Sequence, residues 1–403
     1  MLWAKLEDEY DVIVVGAGPG GSWAAKHCAE EGLRTLMIEK RQEIGSPVRC
    51  GEGMAKVWLD ELGIKPNKEW IANEVQGARI YSPNMAHIEV NEKHAGNECG
   101  YVLHRSFYDK AMAREAARSG AQVLVKCMAT AVLKEDDYVT GLKIHYMQQE
   151  KEVRAKVVVA ADGFESQIAR WAKMPGLRTN LKSKDANACF QYNMIGVDCD
   201  VRYNDFFVGS VAPGGYVWVF PKGEDQANVG IGVNLSKITG AAEAKRYLDK
   251  WIAKMPEYRK GKIIEQVCGG ISCSQPVKKS HANGLILVGD AARMIDPLTG
   301  GGIANAQMSG MLAGPILKEC IEKGDVSEQA LKAYDDAWRA EMETQLLRNY
   351  IAKEKVLDLP DETFDKIISA LSEVQLEKIT TYTLLKALET KHPELVAELA
   401  DLL

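Results

Sequence analysis

A glycine-rich turn near the N-terminus constrains the fold of this chain more than any other feature. The turn, residues 16–21, reads Gly-Ala-Gly-Pro-Gly-Gly and places glycines at its first, third and sixth positions. An apolar run at residues 11–15 precedes it, and residues 22–31 after it have the character of a helix. A strand, such a turn and a helix in this order are typical of a dinucleotide-binding unit.

Each residue type in this turn has a physical role in such a unit. Gly16 permits the tight turn, and Gly21 lets the helix pack closely on the strand. Gly18, next to Ala17, lets a pyrophosphate approach the backbone at the helix N-terminus, where free N–H groups attract phosphate. A second apolar strand ends at Glu39, 21 residues after Gly18, where a carboxylate can bond ribose hydroxyls. These positions predict a dinucleotide site rather than a plain glycine-rich turn.

NAD and FAD both use this unit, and two later motifs favour FAD. Asp162 follows one buried strand and is a further candidate for the cofactor site. Asp290 follows another buried strand, where its carboxylate can bond the polyol chain of a flavin. Gly301, Gly302 and Ile303 begin the next helix, whose backbone N–H groups can approach the flavin carbonyl edge. Either motif alone also fits a simple loop and helix cap. The ordered set predicts that the chain binds FAD.

The order of elements predicts an α/β fold with a FAD-binding Rossmann-type core, an inserted β-rich substrate domain and a helical C-terminal region. Strand and helix patterns alternate at first, the β-rich sequence follows, and the C-terminal part is charged and poor in glycine. We expect the FAD-binding domain to comprise residues 1–75, 101–186 and 278–320. The expected β-rich substrate domain comprises residues 76–100 and 187–277, and the helical region residues 321–403.

Composition and charge exclude several classes of protein. The chain has 50 Lys and Arg against 56 Asp and Glu, a formal net charge of −6, which argues against a nucleic-acid binder. Nine dispersed cysteines without a Cys-x-x-Cys pair indicate reduced thiols in a cytoplasm, and the polar N-terminus predicts no signal peptide. No run approaches the ~20 apolar residues of a membrane-spanning helix. The seven histidines show no metal-ligand spacing, so we expect no metal site.

Two further stretches resemble signatures of a known family. Residues 47–53 read Pro-Val-Arg-Cys-Gly-Glu-Gly, and residues 215–221 read Gly-Tyr-Val-Trp-Val-Phe-Pro. The FAD motifs resemble the fold shared by the aromatic hydroxylases and the geranylgeranyl reductases, and these two stretches resemble signatures of the geranylgeranyl reductase family. The chain is most similar in length and N-terminus to the archaeal members, the digeranylgeranylglycerophospholipid reductases. The resemblance implies an aromatic hydroxylase-like FAD-binding core.

The same resemblance implies roles for particular residues. It places four residues beside the flavin, namely Arg49, Cys50, Gly51 and Gly53. The Arg49 guanidinium should favour the thiolate of Cys50, and we expect this catalytic residue to shape the site or supply a proton. The alternative for Cys50 is a small buried residue. The resemblance also implies that Arg105 contacts FAD, where a salt-bridged surface arginine is the alternative, and that Ala129 presents backbone near the adenine.

Three aromatic residues of the second stretch define a candidate substrate surface. On a strand, Tyr216, Trp218 and Phe220 project from one face and form an apolar wall suited to a polyisoprenoid chain. An ordinary core face is the alternative, and the resemblance favours the substrate channel. It also implies three further substrate-binding residues, Pro221, Gly230 and Gly232.

The resulting hypothesis is an FAD-dependent oxidoreductase that saturates geranylgeranyl double bonds in archaeal-type glycerophospholipids during membrane lipid biosynthesis. In the expected reaction a reduced flavin supplies hydride to one alkene carbon, and Cys50 or a held water protonates the other. Because the alkene has no carbonyl to polarise, the site must rely on orientation and water exclusion. The alternatives are a flavin monooxygenase of an aromatic substrate, a reductase of free geranylgeranyl diphosphate, and a non-catalytic prenyl-lipid carrier.

The expected partners follow from this hypothesis. They are a geranylgeranyl phospholipid substrate and an electron donor, which is a ferredoxin, NADPH or a reduced deazaflavin. A second Gly-x-Gly-x-x-Gly unit that would single out a nicotinamide is absent from the sequence. We expect a cytoplasmic protein with peripheral contact at the inner face of the membrane.

Overall fold

The computed structural model describes residues 6–91, 100–177 and 180–372. These residues form two compact units. Unit 1 contains the described parts of residues 1–46, 106–180 and 274–347. Unit 2 contains the described parts of residues 47–105, 181–273 and 348–403.

Strands and helices are numbered in chain order within the described ranges. The strands are β1 (Glu9–Val15), β2 (Thr35–Glu39), β3 (Gly53–Ala55), β4 (Ile71–Glu74), β5 (Gly77–Tyr81), β6 (His87–Asn91), β7 (Gly100–Leu103), β8 (Gln122–Val125), β9 (Met128–Glu135), β10 (Tyr138–Tyr146), β11 (Gln149–Ala160), β12 (Ala186–Ile195), β13 (Tyr203–Phe207), β14 (Tyr216–Pro221), β15 (Gln226–Asn234), β16 (Lys262–Ser272), β17 (His281–Ala282) and β18 (Leu285–Leu287). The helices are α1 (Pro19–Glu30), α2 (Lys56–Glu61), α3 (Arg105–Arg118), α4 (Gln167–Ala172), α5 (Ala242–Lys254), α6 (Ile303–Glu322), α7 (Glu328–Val356) and α8 (Asp361–Ser372).

Unit 1 is built on a largely parallel sheet. Its strand order is β17-β18-β11-β1-β2-β8, with β10 joined to β11 and β9 joined to β10. Strand β1 runs parallel to both β11 and β2, so its residues are buried on both faces, which explains its continuous apolar sequence. The carboxyl ends of these parallel strands carry the glycine turn after β1 and Glu39 at the end of β2.

Helices α1 and α6 of unit 1 pack closely through glycines. A Cβ added at Gly310 would lie 2.4 Å from the carbonyl oxygen of Gly20, and one at Gly314 would lie 2.6 Å from the carbonyl carbon of His27. Larger residues at these two positions of α6 would therefore separate the helices. The close approach fixes α6, whose first turn forms part of the site described below.

Unit 2 contains two sheets. The larger has the order β16-β12-β15-β14-β13-β5-β6, antiparallel except for the parallel pair β13 and β5. The smaller has the order β3-β7-β4. Helix α5 covers one face of the larger sheet, where Leu248 and Trp251 join Val217, Val229 and Ile231 in a hydrophobic core.

The structure confirms the predicted α/β class, the parallel core, the β-rich region and the helical character of residues 303–372. The observed units differ from the expected domain boundaries in two main respects. One is that the expected helical region does not form a unit of its own, because residues 321–347 belong to unit 1 and residues 348–372 to unit 2. The other is that residues 47–75 and 101–105 group with the β-rich strands, because β3, β4 and β7 pair with one another and Phe220 packs against the segment that leads into β3. Residues 373–403 of the expected helical region lie outside the described residues. Among the described helices none has the length and hydropathy needed to cross a lipid bilayer.

Candidate active site

The glycine turn after β1 has the geometry that a dinucleotide site requires. Gly16 has a φ of +103°, and a Cβ there would lie 2.4 Å from the carbonyl oxygen of Ala161. A Cβ on Gly21 would lie 1.8 Å from the carbonyl oxygen of Gly16, so glycine is needed at both positions for the turn to close. Gly18 differs, because in the described part of the chain no atom beyond its two sequence neighbours lies within 4 Å of its added Cβ. The backbone at Gly18 therefore faces open space, as a cradle for a pyrophosphate should.

The start of helix α1 supplies partially positive N–H groups to this turn, and the end of strand β2 supplies the negative carboxylate of Glu39. Gly18 is the N-cap of α1 and no side chain caps the helix, so its first N–H groups are open to an anion. The Glu39 carboxylate accepts hydrogen bonds from the N–H groups of Ala17, at 3.2 Å, and Arg41, at 2.9 Å. These bonds hold Glu39 beside the turn, where its free lone pairs can accept from ribose hydroxyls.

A second helix start in unit 1 carries a carboxylate of its own. Gly302 is the N-cap of α6, again without a side-chain cap. A Cβ on Gly302 would lie 3.5 Å from Oδ1 of Asp290, which follows β18 in a short 3-10 turn. The loop before Gly302 is organised by Asp296, whose Oδ1 accepts from the N–H groups of Leu298 and Thr299, both at 2.9 Å. Gly301 and Ile303 flank this cap, as the sequence predicts.

Asp162 and Ala129 also lie in unit 1. The Asp162 carboxylate accepts from the Ser166 hydroxyl and from the Ile168 N–H, both at 2.9 Å, and so organises the start of α4. Burial raises the pKa of Asp162, and these hydrogen bonds oppose that rise. Ala129 lies on β9, just after Cys127, whose N–H donates to the Glu39 carbonyl at 2.9 Å. The cofactor contacts of Asp162 and Ala129 stay predictions.

The open side of Gly18 leads to a testable prediction. Gly18 has a φ of −75°, which alanine adopts freely, so Gly18→Ala should leave the stability of the apoprotein within about 0.5 kcal/mol. The added methyl would occupy the space required by the pyrophosphate and should weaken dinucleotide binding by about tenfold or more, which is about 1.4 kcal/mol. Flavin titration and urea unfolding measure the two quantities. Gly240→Ala is the control, since an added Cβ there also meets no described atom within 4 Å beyond its sequence neighbours, and Gly240 lies far along the chain. Wild-type affinity in Gly18→Ala would show that no pyrophosphate rests on this turn.

Unit 2 places the predicted Cys50 in a constrained turn, residues 49–53, which we call the Cys50 turn. Glu52 adopts a left-handed conformation with a φ of +76°, which is uncommon for a residue with a side chain and is typical of functional sites. Its N–H donates to Sγ of Cys50 at 3.2 Å. Added Cβ atoms on Gly51 and Gly53 would lie 3.0 and 3.1 Å from the ring of Phe220, so the turn packs directly on that ring.

The pKa of the Cys50 thiol is higher than the sequence indicates. Burial raises the pKa of Cys50, and the Arg105 guanidinium and the Glu52 N–H oppose that rise only in part. The expectation that Arg49 favours the thiolate is therefore wrong, because the nearby guanidinium is that of Arg105 and desolvation outweighs it. Arg49 is exposed, and its side chain lies along Gly269 of β16.

The three predicted rings lie together on one face of β14, and a fourth joins them. The ring centroids of Tyr216 and Trp218 are 6.0 Å apart, and those of Trp218 and Phe220 are 6.5 Å apart. Phe206, on the neighbouring β13, lies edge-on to Tyr216 and to Phe220 at 5.4 and 5.3 Å. We call these four residues the aromatic face. Trp218 and Phe220 are buried, whereas Phe206 and Tyr216 are partly exposed. The sequence pattern does not indicate Phe206, because pairing across strands brings it there.

Gly230 and Gly232, on β15, lie opposite Trp218 and Tyr216 in the strand pairing. A Cβ on Gly230 would lie 2.1 Å from the Trp218 ring, so the missing side chain is what lets the indole fold over β15. Gly232 has no such constraint, since its nearest neighbours would be 3.7 Å away. Pro221 ends β14 and is buried.

The structure contains a buried polar cluster next to the aromatic face, which the sequence analysis does not predict. The Lys222 ammonium lies 2.7 Å from Oε2 of Glu52, with side chains 5% and 4% exposed. Oε2 also accepts from Nδ2 of Asn228 at 3.1 Å, and Oε1 accepts from the Arg105 N–H at 3.0 Å. The position of Glu52 inside the stretch that resembles a family signature was the only available signal. Groups of three or more His, Cys, Asp or Glu residues arranged to hold a metal are absent from the described part of the chain.

Comparisons with known proteins agree with this geometry. The family model of an FAD-binding domain matches residues 11–90, which include the glycine turn, Glu39 and the Cys50 turn. The free helix starts, the open backbone at Gly18 and the placed carboxylates fit this dinucleotide, and FAD is the cofactor. The model of the geranylgeranyl reductase catalytic domain matches residues 185–271, which include all four residues of the aromatic face and the glycines opposite them.

Full-length relatives extend this result to the whole chain. The digeranylgeranylglycerophospholipid reductase of Thermoplasma volcanium is 52% identical over 98% of this chain and 100% of its own length. That of Picrophilus torridus is 48% identical over 99% of this chain and 100% of its own length. The crystal structure of a geranylgeranyl bacteriochlorophyll reductase-like protein from Thermoplasma acidophilum matches with a TM-score of 0.93 and 50% identity, over 98% of this chain and 100% of that one. The resemblance identified from the sequence is thus confirmed, and the chain belongs to the digeranylgeranylglycerophospholipid reductase family.

Proposed function

We propose that this protein is an FAD-dependent oxidoreductase that saturates geranylgeranyl double bonds in archaeal-type glycerophospholipids during membrane lipid biosynthesis. One observation carries the proposal beyond FAD binding. The aromatic face, in the part of the chain that matches the geranylgeranyl reductase catalytic domain, packs within unit 2 against the Cys50 turn, in the part that matches the FAD-binding domain, so an apolar surface and a thiol occur together.

The proposed FAD contacts use the groups described above. In unit 1 they are Gly16, Ala17, Gly18, Gly21, Glu39, Ala129, Asp162, Asp290, Gly301, Gly302 and Ile303. In unit 2 they are Arg49, Cys50, Gly51, Gly53 and Arg105. Bound and reduced, FAD supplies a hydride equivalent for one carbon of the alkene.

The side chains of unit 2 supply what the alkene itself lacks. An isolated double bond has no carbonyl to polarise, so rate acceleration must come from orientation and from the exclusion of water. The aromatic face offers apolar surface along which an isoprenoid chain can lie, with its partly exposed end at Phe206 and Tyr216. Pro221, Gly230 and Gly232 complete the proposed substrate surface around these rings. Several double bonds per chain then require the lipid to slide between rounds.

Cys50 is the proposed proton source. Because burial raises its pKa, Sγ carries a proton at neutral pH and can give it to the second alkene carbon. The resulting thiolate is stabilised by the Glu52 N–H and by Arg105, and it regains a proton from solvent before the next round.

A single anaerobic experiment tests the proposed function. The purified flavoprotein is reduced chemically, digeranylgeranylglycerol phospholipid is added, and the molecular mass of the lipid product is measured by mass spectrometry. Product masses that rise in steps of two hydrogens support the proposal. Unchanged lipid with the flavin still reduced would contradict it.

Two further assays separate the alternatives. Free geranylgeranyl diphosphate, offered under the same anaerobic conditions, tests the alternative reductase, and an aromatic substrate offered with oxygen tests a monooxygenase. A flavin that stays reduced with every substrate would indicate a non-catalytic carrier.

The role of Cys50 gives a further prediction. Cys50→Ala should lower turnover by about 100-fold or more, as for the loss of a general acid, while FAD remains bound in equal stoichiometry. Lipid turnover and flavin absorbance measure the two effects. Cys268→Ala is the control, since that cysteine is exposed on β16. Unchanged turnover in Cys50→Ala would remove the thiol from the proton-transfer step.

The proposal also concerns the electron donor and the membrane. Reducing equivalents come from a ferredoxin, NADPH or a reduced deazaflavin, and anaerobic titration of the oxidised enzyme with each donor distinguishes them. Because the proposed substrate is a membrane lipid, we expect peripheral contact with the inner face of the cytoplasmic membrane. Co-sedimentation with vesicles of the substrate lipid tests that contact.

A further inference from the structure

Asn228 connects the aromatic face to the Cys50 turn. Its Oδ1 accepts a hydrogen bond from Nε1 of Trp218 at 3.0 Å. Its Nδ2 donates to the carbonyl oxygen of Cys50 and to Oε2 of Glu52, both at 3.1 Å. One side chain thus holds both an indole of the proposed substrate surface and the backbone of the proposed proton donor.

The chemistry of the neighbours fixes the orientation of this amide. The indole nitrogen of Trp218 can only donate, and the carbonyl of Cys50 can only accept. The Asn228 oxygen must therefore face Trp218, and its nitrogen must face the turn. Asn228 is 1% exposed, so water cannot replace these partners at low cost.

The strand register explains how the indole reaches Asn228. Asn228 lies on β15 directly opposite Phe220 of β14, two residues before Gly230. The missing side chain at Gly230 lets the Trp218 indole lie over β15 and bring Nε1 to the amide. Asparagine at position 228 and glycine at 230 thus act on the same ring.

We propose that Asn228 is a positioning residue for the reduction, which sets the Trp218 ring and the Cys50 turn in a fixed relation to each other. The inference rests on the proposed function, since it gives Asn228 the role of orienting the substrate surface and the proton donor. Loss of the amide frees the Cys50 carbonyl and the indole N–H together. An error of about 1 Å in such a constellation can cost up to about 100-fold in rate.

Asn193 provides a matched control. It lies on β12 directly opposite Asn228 in the strand pairing, and it is partly buried. Its Oδ1 accepts from the Gln226 side chain at 3.0 Å, and the structure gives it no hydrogen bond to Cys50 or Trp218. Asn193→Leu therefore removes an amide from the same pair of strands without touching either group.

The experiment compares Asn228→Leu with Asn193→Leu in the FAD-loaded enzyme. We expect Asn228→Leu to lower kcat by about tenfold or more with KM changed by less than about threefold, because a misplaced donor slows the chemical step. A second readout needs no lipid: Cys50 of the oxidised holoenzyme should react several-fold faster with iodoacetamide, by peptide mapping, with Cys268 as the internal reference. Asn193→Leu should change neither quantity.

Each outcome bears on the inference. Equal kcat and equal Cys50 alkylation in the two variants would overturn it, and so would a loss of kcat shared by both. Should Asn228→Leu fail to fold, Asn228→Ser is measured in the same way, because it removes the amide with less strain. If the wild-type enzyme leaves the lipid unreduced, the proposed function fails, whereas the alkylation rates still decide whether Asn228 holds the Cys50 turn.

Discussion

Replacing Lys222 with methionine is expected to lower the free energy of unfolding by about 3–5 kcal/mol. The substitution leaves the Glu52 carboxylate, 4% exposed, without its ion-pair partner. The hydrogen bonds from Asn228 and Arg105 remain but are too few to replace the lost charge. Glu52 also holds a φ of +76°, so a weakened cluster loses part of what maintains that conformation.

Urea unfolding followed by circular dichroism measures this effect. The double variant Lys222→Met/Glu52→Gln should recover part of the loss, since it removes the unpaired charge and keeps one acceptor oxygen for either the Arg105 N–H or the Asn228 amide. Lys143→Met is the control, because Lys143 and Glu150 form an ion pair at 2.8 Å with side chains 40% and 53% exposed. That variant should leave the free energy of unfolding close to the wild-type value, because water and salt screen an exposed ion pair. Equal losses in the buried and exposed pairs would contradict the assigned role of burial.

The nucleotide-binding part of unit 1 could be predicted from the sequence because its signal is local. Gly16, Gly18 and Gly21 lie within six residues. Backbone atoms of the turn and of the adjoining strand end require Gly16 and Gly21, whereas Gly18 leaves open the space that a pyrophosphate needs. Glu39 lies at the end of the next strand, and parallel pairing of β1 with β2 brings it to the turn. Short connections between parallel strands leave few other arrangements.

The cluster around Glu52 could not be predicted in the same way, because its members are far apart in sequence. Lys222 is 170 residues from Glu52, and Asn228 is 176 residues away. Alternation along β14 shows that Trp218 and Phe220 share a face, but it does not show which turn covers that face. The register of β14 and β15 and the packing of the Cys50 turn supply that information.

The protonation of Cys50 illustrates the same limit of local sequence. The preceding residue, Arg49, suggests a guanidinium beside the thiol, yet the two side chains point to different neighbours. Arg105 reaches the thiol because β7 pairs with β3 and ends beside the turn. Burial of the sulfur, which no single motif reveals, then decides the direction of the pKa shift.

Gly230→Ala should remove most of the lipid-reducing activity and lower the free energy of unfolding by about 1–3 kcal/mol, as overpacked cores do. The new methyl would lie 2.1 Å from the Trp218 ring, so the indole must leave its place over β15. It would then lose the 3.0 Å hydrogen bond to Asn228 and its packing in the aromatic face. Activity should fall by about tenfold or more, because the ring helps to orient the proposed substrate.

Gly232→Ala, two residues along the same strand, isolates the effect of that contact. Its methyl would meet only Asn187 and Cys189, both at 3.7 Å, which is ordinary contact distance. The change in stability should therefore stay within about 0.5 kcal/mol, and FAD binding should be equal in both variants. Near-ultraviolet circular dichroism reports the displaced indole in Gly230→Ala, and the lipid assay reports turnover. If the indole is displaced in Gly230→Ala but turnover stays at the wild-type level, the isoprenoid chain does not contact the Trp218 ring. The proposed substrate surface would then be limited to Phe206 and Tyr216.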